Sequence, residues 1–222
     1  MIIFKHIYKS YYNNEILKNI SIEVNYKEFI CIVGNSGEGK TTILNLILGK
    51  EKTDSGNIFI DGISINNLHS QHLQFYRKKI GVIFQDFKLF QNKTIFENIS
   101  FILEICKEKK DQIFNKVKKS LEIVGLEEKI AHFPSDLSGG EIQRIAIARA
   151  IVHDPKIILA DEPTGNLDPE NTKMILEILK KINREMEATI ILATHNPLVS
   201  DYLKTRVICL KNGEILYDKM NV

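Results

Sequence analysis

Gly34-Asn35-Ser36-Gly37-Glu38-Gly39-Lys40-Thr41 stands directly after the apolar run Phe29-Ile30-Cys31-Ile32-Val33 and directly before Thr42-Ile43-Leu44-Asn45-Leu46. These eight residues satisfy G-x-x-x-x-G-K-[ST], with the strand before and the helix after that give the pattern its chemistry. The glycines let the backbone turn so that successive N–H groups, those of Asn35, Ser36 and Glu38 among them, point inward at phosphate oxygens. The dipole of the helix that opens near Thr42 adds attraction for anions. Lys40 can reach the β- and γ-phosphates, and the Thr41 hydroxyl is placed to ligate Mg²⁺. Glu38 is the uncomfortable member, because an acid beside phosphates repels them unless it points to solvent.

Working outward, short β-branched runs alternate with helical patterns along most of the chain. Phe29 to Val33, Ile80 to Phe84, Ile157 to Ala160, Thr189 to Ala193 and Val207 to Leu210 read as buried strands, which predicts an α/β fold with a mainly parallel core sheet. Ile20 to Val24 and Ile58 to Ile60 alternate apolar with polar residues, and Asp61-Gly62 and Asn212-Gly213 are hairpin signals, so an antiparallel β portion accompanies the core. Thr94-Ile95-Phe96-Glu97 is a capping-box pattern, and Gly125 closes a helical stretch that begins near Asp111. One domain is expected over 1–222, with 1–85 and 153–222 as its core and 86–152 as a helical insertion.

A phosphate site of this kind needs carboxylates at the end of another strand, and Ile157-Ile158-Leu159-Ala160-Asp161-Glu162 supplies two in succession. Successive strand residues point to opposite faces, so Asp161 is expected to serve the metal shell and Glu162 the water that attacks the γ-phosphate. An acidic cap for the next helix would account for Asp161 alone but not for its neighbour. Ala193-Thr194-His195-Asn196 marks a further strand end. A solitary histidine is commonly a surface residue, yet at the carboxyl end of a strand in such a sheet His195 falls in the ligand crevice.

Composition excludes more than it assigns. The 222 residues are 44% hydrophobic and 26% charged, the balance of a folded globular chain, and the net charge of +2 argues for no electrostatic nucleic-acid binder. No apolar run reaches the ~18 to 20 residues that cross a bilayer, and the amino terminus does not read as a signal peptide, so a cytosolic chain is expected. Cys31, Cys106 and Cys209 lack metal-ligand spacing and read as reduced thiols. The lysine-rich stretch from Lys107 to Lys119 is interleaved with acids and reads as a solvated helical face.

Leu137-Ser138-Gly139-Gly140-Glu141-Ile142-Gln143-Arg144 closely resembles the LSGGQ-type signature of ABC (ATP-binding cassette) ATPases. It is a second Gly-rich turn opening a helix, here Glu141 to Ile151, and so a second anion-binding terminus. The resemblance implies an ABC-type P-loop NTPase that binds ATP and Mg²⁺ and dimerises head to tail on ATP binding. Ser138, Gly139 and Gly140 would then contact, in trans, the ATP held by the partner's Gly34 to Thr42. It further implies that Tyr11, or Tyr12, stacks on adenine. Gln85 would touch Mg²⁺ or water and sense the partner, Glu162 and His195 would act in hydrolysis, and Asp168 of Asn166-Leu167-Asp168 would link the two sites.

Two departures from the family pattern stand out: Lys27 where Gly is usual, and Ile142 where Gln is common. Within the family, Arg77 to Phe87, Asn92 to Asn98, Phe133 to Leu137 and Ala193 to Asn196 resemble the cell-division branch. That likeness implies a homodimer held to the cytoplasmic face of the membrane by an FtsX-like permease, with cell-wall hydrolases under its control. Lipoprotein-releasing and macrolide-export cassettes share the block from Ala160 to Asp168 and remain alternatives. A soluble ABC ATPase acting on nucleic acid usually carries a long coiled coil or a second cassette, so no nucleic acid is expected as partner.

Overall fold

The computed structural model describes every residue except Asn13, Asn166 and Val222. In chain order the elements are β1 (Ile2–Tyr11), β2 (Asn14–Val24), β3 (Phe29–Val33), α1 (Lys40–Ile47), β4 (Ser55–Ile60), β5 (Ile63–Ser64) and α2 (Ser70–Arg77). There follow β6 (Ile80–Ile83), α3 (Ile95–Cys106), α4 (Lys110–Val124), α5 (Gly139–Ile151), β7 (Ile157–Asp161) and α6 (Pro169–Met186). The chain ends with β8 (Thr189–Thr194), α7 (Pro197–Leu203), β9 (Arg206–Lys211) and β10 (Glu214–Met220). Two compact units result: Met1–Arg77 with Thr189–Val222, and Lys78–Ala188.

In the first unit, β1 lies between β2 and β4, with β5 beyond, all antiparallel. β1 is absent from the sequence reading for a physical reason. Its buried residues, Ile2, Phe4 and Ile7, break the period of two where His6 turns left-handed (φ 50°) and the register slips. In the same unit β3 runs parallel to β8 on one side and to β9 on the other, and β10 closes antiparallel on β9. Every β8 residue is buried, as a strand covered on both faces requires. Asp61-Gly62 and Asn212-Gly213 make the hairpin turns, both residues of each pair at positive φ.

In the second unit, β6 and β7 pair in parallel and α3, α4 and α5 pack on one another. Ile95, Ile99 and Leu103 of α3, Val117 and Leu121 of α4, and Ile145 and Ile147 of α5 are fully buried, each stabilising the unit by about 1.5–3 kcal/mol. The helix ends are those the sequence marks. Thr94 and Glu97 form a reciprocal capping box on α3, and Gly125 ends α4 in the left-handed conformation. On the charged stretch Lys116 bridges Glu108 and, beyond α5, Asp154.

Among the described residues no helix is long and apolar enough to cross a membrane. The three cysteines are free thiols, and burial pushes the Cys31 thiol up to about 12.

Candidate functional site

In the first unit the Gly-rich loop leaves β3 and closes on α1. Gly39 caps that helix at φ 94°, where a side chain would be strained and a Cβ would stand 2.5 Å from Leu17 Cδ2. Gly34 is demanded by space instead, since a Cβ there would lie 2.6 Å from the Leu210 carbonyl oxygen. No side chain caps α1 and no acid lies in its first turn, an arrangement suited to an anion at that helix end. Lys40 is buried, and its ammonium donates to the carbonyl oxygens of Gly34 at 2.8 Å and Asn35 at 2.9 Å.

Tyr11, Ile16, Gly37, Gly39, Lys40, Thr41 and Thr42 line a cavity of about 240 Å³. Tyr11 ends β1, and its hydroxyl donates to the Glu51 carboxylate, which also accepts from Asn45 at 3.3 Å. Burial and the Glu51 bond together raise the Tyr11 phenol. Tyr12, the alternative, is fully exposed and lines no part of the cavity. Glu38 is half-buried and likewise outside the cavity lining. His195 follows β8, whose Thr194 pairs in register with Val33, so His195 and Gly34 leave the sheet at adjoining strand ends.

In the second unit, Ile83 of β6 pairs with Ala160 of β7. Gln85 and Glu162 each stand two residues beyond that pair and converge on Gly165. A methyl group on Gly165 would lie 3.7 Å from Glu162 Cβ and 3.8 Å from Gln85 Nε2. The separation of the two acids has a different origin from the one expected. β7 ends at Asp161, and Glu162 sits beyond it in the left-handed region (φ 46°), so a backbone turn, and not strand pleating, parts them. Asp161 does not cap the next helix: Asp168 caps α6, accepting the Asn171 amide at 2.9 Å.

Ser138 caps α5 in a full capping box. The Glu141 carboxylate accepts from the Ser138 nitrogen and hydroxyl, both at 2.8 Å, and these bonds hold its carboxyl below the usual range. Gly139 and Gly140 form the first residues of the helix, which opens two residues earlier than the expected start at Glu141. Asn166 lies outside the described residues. The sequence reading missed Ile16 and Glu51, which carry no motif and reach the site only through pairing of β1 and β2 and the turn after α1.

Among the described residues no group of three or more His, Cys, Asp or Glu side chains could hold a metal alone. The Thr41 hydroxyl in the first unit and the Asp161 carboxylate in the second are each a hard oxygen of the kind that Mg²⁺ takes, one or two at a time, with phosphate and water completing its shell.

A profile of the ABC transporter family matches residues 17–165. The cell division ATP-binding protein FtsE of Streptococcus pneumoniae is 42% identical over 203 residues, spanning 91% of this chain and 88% of that protein. The methionine import ATP-binding protein MetN 1 of Listeria monocytogenes is 45% identical over 202 residues, spanning 91% of this chain and 60% of that protein. Among solved structures, the ATP-binding cassette MJ0796, in a dimeric post-hydrolysis state bound to ADP and Pi, covers 100% of this chain with a TM-score of 0.89 at 36% identity.

Proposed function

We propose a specific place for this chain, which belongs to the ABC transporter family and is an ATPase of it, as the cell-division type of nucleotide-binding subunit paired with an FtsX-like membrane permease. The supporting observation is the alignment to FtsE over 88% of that protein's length. In this reading residues 1–222 work as one ATP-binding domain, with 1–85 and 153–222 as the core and 86–152 as the insertion that carries the signature. The chain sits at the cytoplasmic face of the membrane through its partner.

Within each chain the amides from Gly34 to Thr42 and the Lys40 ammonium bind the triphosphate, and Tyr11 stacks on the base. Thr41, Asp161 and Gln85 are the residues that would hold Mg²⁺, which would supply neutralisation of phosphate charge. Glu162 orients the attacking water and takes its proton, and His195 contacts the γ-phosphate end. Ser138, Gly139 and Gly140 of a second copy close over the nucleotide, so ATP holds the homodimer together.

The 45% identity to MetN 1 favours a second reading, an import ATPase. Isolating the chain from gently solubilised membranes and identifying what comes with it separates the two. An FtsX-like permease, with a division defect on depletion, supports the first. A permease whose loss abolishes uptake of an amino acid supports the second and refutes the first.

A further inference from the structure

The signature turn and the Asp168 loop meet within the second unit at a single side chain. Asn171, the third residue of α6, grips the Asp168 carboxylate at two points. Its backbone N–H donates to Oδ1 at 2.9 Å and its side-chain Nδ2 to Oδ2 at 2.5 Å. The other edge of the same amide fills the space that Gly140 leaves. A Cβ on Gly140 would collide with Asn171 Oδ1 and stand 2.7 Å from its Cγ. Gly139, one residue earlier, meets nothing within 4 Å.

A terminal amide can ordinarily swing away from a new methyl group at small cost. This one cannot without breaking its bond to Asp168, so the two glycines of the turn differ in what they permit. Gly140 is small where Asn171 must sit, and Asn171 sits there holding Asp168. The two bonds also keep the Asp168 carboxyl below its usual range, as a doubly donated carboxylate requires.

We propose that Asn171 is a positioning residue that ties Asp168 to the signature turn at Gly140, so that displacement of the turn re-aims the Asp168 carboxylate. The role rests on the reading in which the turn closes over triphosphate bound to a second copy. Closure then moves Gly140 against the Asn171 amide, and the amide passes that movement to the residue that faces the other site.

The test uses the full chain. Asn171→Ala keeps the backbone cap on α6 and removes only the side-chain grip. It should lower kcat about tenfold and leave KM for ATP within about twofold. In an Asp168→Ala background the same change should cost nothing further. The Asn171 side-chain amide signals in an N–H correlation spectrum should shift in Gly140→Ala and stay in place in Gly139→Ala. An unchanged kcat for Asn171→Ala, losses that multiply in the double variant, or amide signals unmoved by Gly140→Ala would each overturn the proposal. If a Glu162→Gln chain stays monomeric with ATP, the sandwich reading fails separately, and the amide signals of the single chain still decide the contact.

Discussion

Arg149, buried in the signature helix, donates to two successive carbonyls, 2.6 Å to Phe87 and 2.5 Å to Lys88. Phe87 and Lys88 are both left-handed, at φ 56° and 51°, a conformation that costs bulky residues about 1–2 kcal/mol each. The guanidinium therefore holds a strained turn that begins two residues after Gln85. Asn98 braces the far side of the same segment, accepting from the Phe90 nitrogen at 2.7 Å and donating to the carbonyls of Phe90, Lys93 and Thr94. Replacing Arg149 by Ala removes the donors to two part-buried carbonyls and should destabilise the protein by about 1–3 kcal/mol in urea unfolding. Arg149→Lys, able to serve one carbonyl, should recover part of that loss.

Glu162→Gln removes the proposed general base while keeping the shape of the turn around Gly165. ATP binding should persist and turnover should slow by about 10²–10⁴. Phosphate release measured alongside nucleotide affinity separates the two effects, and unchanged turnover would take Glu162 out of its role. Lys40→Ala should do the reverse, weakening ATP binding itself.

Glu51 fixes the ring of Tyr11 without lining the cavity. Glu51→Ala frees the phenol, so affinity for ATP should fall about three- to tenfold. Inorganic triphosphate, which has no base to stack, should bind as before. Titration calorimetry with both ligands checks this, and a matching loss for triphosphate would mean that the change disturbs the phosphate loop instead.

Glu97, Glu141 and Asp168 each accept bonds from a helix terminus, which depresses their carboxyls below the usual range, while Glu108 is depressed by its bond to Lys116. A folded-state value below the unfolded one means stability that is present above the unfolded value and lost as pH falls through the folded one. The thermal midpoint should therefore hold from pH 7 to about 5 and decline below about 4. Glu97→Gln combined with Glu141→Gln should flatten that decline. All four carboxylates lie near the surface, so added salt should shrink the effect.

The strand ends that carry the proposed site residues were legible because their signals are local. Phe29 to Val33 and Thr189 to Thr194 are continuous apolar runs, and the glycines after β3 and the paired acids after β7 follow in the next residues. α2 was not legible for the opposite reason. It buries no residue, so no apolar stripe marks it, and it is held by bonds from Tyr76 to the Ile47 carbonyl and from Arg77 to those of Leu48 and Gly49. β1 was hidden by the slip at His6.

By itself the sequence determined the family and pointed to the parts of its proposed chemistry, a Gly-rich loop with its lysine and threonine, two successive acids and a signature turn, because each depends on residue types at short fixed spacing. Only the tertiary structure decided which groups hold those parts in place. Glu51 reaches Tyr11 across 40 residues, Arg149 reaches Phe87 across 62, and the Asn171 amide fills the space beside Gly140. Such contacts join residues distant along the chain through packing and hydrogen bonds, which leave no periodicity or spacing in the sequence to read.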